Sequence, residues 1–388
     1  MTQTNSYFLD KKYIFHPDST NIAPKSVIFE DKMHSMYRNR AIIYLLVALL
    51  SHAHGHAQEG RSIFNFLNLP TSSHALALGG KNITLVDDDA SLAAINPALM
   101  ANVTDRSLCF NFLTYMKGSN AGSLNYVQNH GKYGNWGVGA QFVGYGGIIE
   151  TDLEGNQLGT LTALDMNLYG GYSYMLSDRL TGGVYGKFLY SHYAGYTSIG
   201  LAVDLGINYY DEDHDLSIST LFANLGGQVR AFGDVKERLP IDMQIGISKG
   251  FAFLPVRLHL TLFDMFQWKS SNYSNGGEPV GAGQVILSHI DLGADILLWK
   301  DRVWVGLGYN FRRGYEMKAA GSSHAAGLTL GAGLSIKNIK FGIAYGNYHY
   351  GAPTLDFTLA YSFPRKPKAQ SSPATPKTTK PKNNQTTK

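Results

Sequence analysis

The densest group of side chains able to hold a cation is the run Asp211, Glu212, Asp213, His214, Asp215. Hard oxygen donors at that density suit a divalent ion. The run falls between two alternating apolar stretches, however, and so reads as a solvated turn. His52, His54 and His56 resemble a metal tract but lie in a segment that reads as removable. No Ser-x-x-Lys occurs, which excludes a serine acyl-enzyme of the β-lactamase kind. The piece Gly144-Tyr145-Gly146-Gly147 lacks the strand–turn–helix setting of a phosphate cradle. It reads instead as glycine relieving crowding in a closing sheet. The sequons Asn82-Ile83-Thr84 and Asn102-Val103-Thr104 read as chance. The single cysteine, Cys109, excludes an intrachain disulfide. No catalytic, cofactor or metal site is assigned, and the expectation is a protein that is not an enzyme.

The elements around these residues say more. Ile199, Leu201, Val203, Leu205 and Ile207 alternate with Gly200, Ala202, Asp204, Gly206 and Asn208. A period of two places one set on each face of a strand. The pattern repeats across fourteen predicted strands: 107–115, 123–128, 134–145, 162–175, 180–193, 196–210, 216–225, 240–250, 256–266, 289–298, 303–311, 327–336, 339–348 and 354–363. Strands apolar outward and polar inward are the signature of an outer-membrane β-barrel. The inward set includes Asp165, Asn167, Asp204, Asn208, Asp242, Asp291, Asp295 and Asp356, with Lys187, Arg257 and Lys340, and predicts a narrow wet lumen. A soluble β-sandwich would carry more Lys and Glu on its polar face. Short connections alternate with long ones at 146–161, 226–239, 267–288 and 312–326. With an even strand count, both mature termini are expected in the periplasm.

No stretch reaches the roughly 20 apolar residues of a spanning helix. The ten apolar residues 41–50 follow Arg38 and Arg40 and precede a small-residue segment, so 36–57 reads as a signal peptide cleaved after Ala57. Residues 1–35 then read as an over-extended N-terminus. The tail 364–388 has seven basic residues and no acid, and the first 57 have six basic against four acidic. The remaining 58–363 are therefore net −5 within a chain that is +4 overall, which excludes a basic nucleic-acid binder. The Lys/Pro-rich tail reads as a solvated, disordered periplasmic segment.

Residues 58–106 do not alternate and are expected to fill the barrel as a hatch. Asp87 to Asp89 predict the cap of a short helix running to Ile95, ended by Pro97. The run Phe64-x-Phe66-Leu67-x-Leu69-Pro70, then Ala77-Leu78-Gly79-Gly80, Asp87-x-Asp89 and Asn96-Pro97-Ala98-Leu99 resembles the hatch of FadL-like fourteen-stranded transporters. Within that superfamily it is most similar to the PorV/PorQ family, outer-membrane subunits of the type IX secretion system of Bacteroidetes. The likeness runs on through Asp152, Gly155, Gly159 and Asp165.

The resemblance implies a hatch motif of Gly79, Gly80, Asp87, Asp89, Asn96, Pro97 and Ala98. It also implies a subunit of the cell-surface attachment complex, anchoring a partner similar to PorZ alongside PorU- and PorV-like proteins. In that complex cargo is processed and joined to lipopolysaccharide. Arg230, Trp268, Tyr273, Arg312, Arg313 and Tyr315, in or beside the long loops, are the candidate partner-facing anchors. The alternatives are a FadL-type transporter of hydrophobic small molecules, which needs an apolar luminal pocket, and a PorV-like cargo shuttle.

Overall fold

The computed structural model describes residues 62–115, 118–131, 134–152, 154–251, 253–273, 280–299, 301–319, 324–349 and 352–364. The expected over-extension, signal peptide and basic tail lie outside the described residues. Fourteen strands form one closed antiparallel barrel. They are β1 (Ser107–Thr114), β2 (Asn120–Asn129), β3 (Asn135–Thr151), β4 (Gln157–Ser177), β5 (Leu180–Tyr193), β6 (Tyr196–Asp211) and β7 (Leu216–Arg230), then β8 (Asp242–Phe251), β9 (Leu254–Leu262), β10 (Ile290–Leu298), β11 (Val303–Asn310), β12 (Leu328–Ile336), β13 (Ile339–His349) and β14 (Ala352–Ser362). Closure comes from β1 against β14, with Ser107 opposite Ser362 and Leu113 opposite Asp356. A closed ladder leaves no edge, so every strand carbonyl and amide has a neighbouring strand to meet.

The alternation has the expected hand. Leu201 and Ile207 of β6 are about half exposed, whereas Ala202 and Asp204 between them and Asn208 just beyond are buried. The outer face continues with Phe110, Leu124, Phe142, Leu168, Phe188, Leu258, Leu292, Leu307, Phe341 and Phe357. No soluble protein leaves such a continuous apolar band in water.

The inner face meets packed protein rather than a wet lumen, because residues 62–106 occupy it. There the chain forms a 3-10 turn (Asn65–Asn68), α1 (Ser73–Ala77), α2 (Ala90–Ile95) and a second 3-10 turn (Pro97–Asn102). Each helix has a side-chain cap: Ser72 Oγ accepts from Ala75 N, and Asp89 Oδ1 accepts from Ser91 N at 2.8 Å. Pro97 opens the second turn, whose cap is Asn96 accepting from Ala98 N at 3.0 Å. α1 packs on β11 to β14, and the Pro97 turn on β3 to β6. The segment thus braces opposite walls.

Three long loops differ from expectation as well. β3 and β4 keep pairing past the wall, from Gly147 opposite Thr162 to Thr151 opposite Gln157, so the 146–161 loop is mostly a two-stranded ribbon. A register break between Gly144 and Gly147 interrupts the alternation there and hides the ribbon from a period-two reading. The 267–288 connection holds α3 (Ala282–Ser288), and the 312–326 connection holds α4 (Phe311–Ala319).

Candidate functional site

The richest polar assembly joins hatch to wall at Asp295, whose side chain is fully buried. Asp295 and Arg257 are direct cross-strand partners in β10 and β9. Arg257 donates from Nε at 3.1 Å and from a terminal nitrogen at 2.6 Å, the two-pronged geometry that suits a carboxylate. His259 Nε2 lies 3.4 Å from the same group, and its Nδ1 meets Ser248 Oγ at 2.5 Å. Ser248 in turn bonds Thr84 Oγ1 of the hatch. From the hatch side, His74 of α1 brings Nε2 to 2.9 Å of Asp295 and Nδ1 to 3.6 Å of Asp87. Its ring stacks on Trp304 at 3.8 Å between centroids, nearly parallel. Lys340 of β13 completes the group, 3.0 Å from Asp88.

Burial alone pulls the His74 pKa down, but the hydrogen bonds and charges of Asp295 and Asp87 outweigh it and hold the pKa above the ordinary histidine value. Burial would raise the Asp87 pKa; the bond to His74 and its charge, with Lys340 and Arg257, instead hold it well below the carboxylate range. A histidine whose folded pKa is raised stabilises fully below its unfolded value, and that stabilisation is lost as pH climbs through the folded value. Asp87 works the other way: its contribution is present above the ordinary carboxylate value and is lost only in strong acid. Hatch attachment is therefore expected to weaken as pH rises above about 6.5. Protection of the 62–106 amides, taken relative to the intrinsic exchange rate at each pH, should fall on that rise in the native chain and stay flat in His74→Asn. Equal pH profiles for the two proteins would refute the assignment.

The expected hatch residues occupy this interface. Gly79 and Gly80 close α1 with φ of +100° and +90°, a conformation that favours glycine. A Cβ on Gly79 would fall 1.6 Å from Asp291 Oδ1, and one on Gly80 1.9 Å from the Tyr348 hydroxyl. Asp89 is the α2 cap, and burial raises its pKa. Asn96 also donates to Ile83 O at 3.0 Å. Pro97 and Ala98 press on Gly183 of β5.

The loop residues divide. Arg230 and Trp268 are exposed, Trp268 donating to Met265 O at 2.7 Å. Tyr315 is half-buried on α4. Tyr273 is buried and donates to Gln267 O, so it is not a surface anchor. Arg313 is likewise buried, 3.7 Å over the Tyr348 ring. Arg312 is engaged by Asp264 and Glu316 and lies over Tyr273. The α4 helix turns these two arginines toward the barrel mouth, which a loop reading could not anticipate. In the Asp211–Asp215 turn, Arg179 bonds both Asp211 and Asp213 at 2.8 Å. Those acids have a cation already.

The continuous lipid-facing band on a closed fourteen-stranded wall decides the setting. The chain is an outer-membrane β-barrel. Among the described residues no helix is long and apolar enough to cross a membrane. No protein-family model matches the chain, and no curated protein does. The chain is similar to several solved barrels. The Pseudomonas putida toluene transporter TodX is 12% identical, with a TM-score of 0.48 over 78% of this chain and 99% of that one. The Ralstonia pickettii toluene transporter TbuX is 14% identical, with a TM-score of 0.49 over 76% and 98%. A FadL homologue of Pseudomonas aeruginosa is 11% identical, with a TM-score of 0.46 over 76% and 98%.

Proposed function

We propose that this barrel is a non-enzymatic membrane anchor whose working surface is its long-loop end. Residues 36–57 would direct export, and both mature termini would face the periplasm. The observation that carries the reading is the state of the lumen. The hatch is held by ionic contacts to β10 and β13, and the cavity left beside it, about 80 Å³, mixes charged and amide side chains with Leu69, Pro70 and Leu221. An apolar substrate would have to lie against Lys187, Asp204, Asp242 and the amides of Gln141, Asn167 and Gln244 there. The resemblance of the hatch run to the PorV/PorQ family supplies the partner class: a surface protein similar to PorZ in a type IX attachment complex, with PorU- and PorV-like subunits. The test is extraction from native outer membranes in mild detergent, with identification of what stays bound. A sortase-like protease and a large surface β-protein in stoichiometric amounts support the anchor. A barrel isolated alone, carrying only lipid, overturns it.

One observation favours transport of hydrophobic small molecules instead. The β3–β4 ladder loses register between Gly144 and Gly147, and a Cβ on Gly144 would meet open space beside that break. If this reading is right, cells lacking the barrel should lose uptake of a labelled aromatic hydrocarbon. Filling the gap with Gly144→Phe should give the same loss.

A further inference from the structure

The inner wall holds a lysine, an aspartate and an asparagine in mutual contact, one on each of three neighbouring strands. Lys187 of β5 and Asp204 of β6 are diagonal neighbours in the ladder, with Lys187 Nζ 2.5 Å from Asp204 Oδ2. The same nitrogen donates to Asn224 Oδ1 of β7 at 2.9 Å. Asp204 and Asn224 are buried, and the Lys187 side chain is only 10% exposed.

Asn224 reaches this place through a break in the sheet. Residues 218, 220 and 222 of β7 face outward, so strict alternation would send Asn224 to the lipid. Instead the β6–β7 register shifts between Val203 and Leu205, and Asn224 takes a φ of +59°. Ala223 and Asn224 are then buried in succession. A bulge re-aims a side chain in this way, and asparagine tolerates left-handed backbone. The Asn224 main-chain N donates to Asp204 Oδ1 at 2.7 Å, which leaves Oδ2 to the lysine. The amide orientation is fixed at both ends. Its Nδ2 donates to Pro240 O at 3.0 Å, and its Oδ1 faces an ammonium that can only donate. Strained backbone held at a cluster of reactive groups points to function.

These are the parts of an amide exchange: an amine nucleophile, an amide carbon and a carboxylate to carry the proton. We infer that Lys187 and Asn224 become joined by an isopeptide bond inside the folded barrel, with Asp204 as the proton carrier. The Lys187 ammonium gives a proton to Asp204 Oδ2, and the freed amine attacks Asn224 Cγ. The Nζ–Cγ bond forms, Cγ–Nδ2 breaks, and a proton of the attacking nitrogen goes to the leaving Nδ2. Asp204 returns its proton to the departing ammonia, which leaves as ammonium. No oxidant, reductant or cofactor enters the balance. An amine held against its target gains an effective concentration on the order of 10⁵ M or more, which free amines and amides in water lack. The cavity beside the hatch borders all three residues and receives the ammonium. The bond ties β5 to β7 across β6, whichever partner the loop end binds.

The test is peptide mass mapping of the full barrel purified from native outer membranes. Chymotrypsin cuts between the two positions, at Tyr193, Tyr209 and Tyr210 among others. The native digest is expected to hold one branched peptide containing both Lys187 and Asn224, lighter than its two parts by one ammonia. Trypsin should fail to cut after Lys187. Asp204→Asn keeps both reacting groups, and folded barrels of it should yield about tenfold less branched peptide or lower. The native chain gives a second measurement that needs no variant: recovered unfolded, it should carry no link and acquire one on refolding into detergent. Separate, unlinked peptides in the native digest overturn the inference. So does an equal yield of the branched peptide from folded Asp204→Asn. Ammonia loss confined to the Asn224 peptide, as ring closure onto its own backbone would give, overturns it as well.

Discussion

Asp295→Ala is expected to free the hatch while the barrel stays closed. Asp295 is the one acceptor shared by Arg257, His74 and His259. Removing it leaves the Arg257 guanidinium, 12% exposed, without its carboxylate inside the wall. Breaking a buried pair in this way costs about 3–5 kcal/mol, because the remaining charge is uncompensated. The backbone ladder does not depend on that side chain: position 295 keeps its pairing with residues 257 and 306. The loss should therefore appear in hydrogen exchange of the 62–106 amides, faster by two orders of magnitude or more, while strand amides stay protected. The double variant Asp295→Ala, Arg257→Met should recover most of the protection, since no orphan charge remains. Hatch amides as slow in Asp295→Ala as in the native protein would show that the cluster is not the latch.

That latch was half legible in the sequence. Asp295 and Arg257 read as inward because a strand with a lipid on one side and polar neighbours on the other alternates strictly. The same regularity located all fourteen strands, several to within a residue. The α2 helix was legible for a different reason: Asp89 and Pro97 punctuate it at both ends. What stands opposite an inward residue is not encoded in periodicity. The cross-strand register of 295 with 257, and His74 reaching both Asp295 and Asp87, needed the closed sheet. The α4 helix did carry a signal, since Asn310 Oδ1 accepts from Arg313 N at 3.0 Å as a cap. It went unread because Asn310 also completes β11. The α3 helix starts from Gly281 with no side-chain cap, so nothing announces it.

The inward glycines carry the second strong expectation, because their role depends on what stands opposite them and not on periodicity. The structure shows several of them as the seat of the hatch. A Cβ on Gly308 would lie 2.1 Å from Gly79 N, one on Gly183 2.4 Å from the Pro97 carbonyl carbon, and one on Gly206 2.1 Å from Asn96 Oδ1. In an ordinary strand Gly→Val gains stability, because a β-branched side chain suits the pleat better than none. Gly308→Val and Gly183→Val should do the reverse, since the atoms struck are hatch backbone and cannot rotate away. Overpacking of this kind costs about 1–3 kcal/mol or more, seen here as a lowered urea midpoint and unprotected 62–106 amides. Gly227→Val is the control: nothing stands within 4 Å of its added Cβ, and the midpoint should hold or rise. Gly206 separates seating from sheet strain, because there the nearest atom struck belongs to a side chain. Asn96→Ala should relieve part of the Gly206→Ala penalty, although each change alone destabilises. If the two penalties simply add, residue 206 is not a contact of the hatch and the seat does not extend to β6.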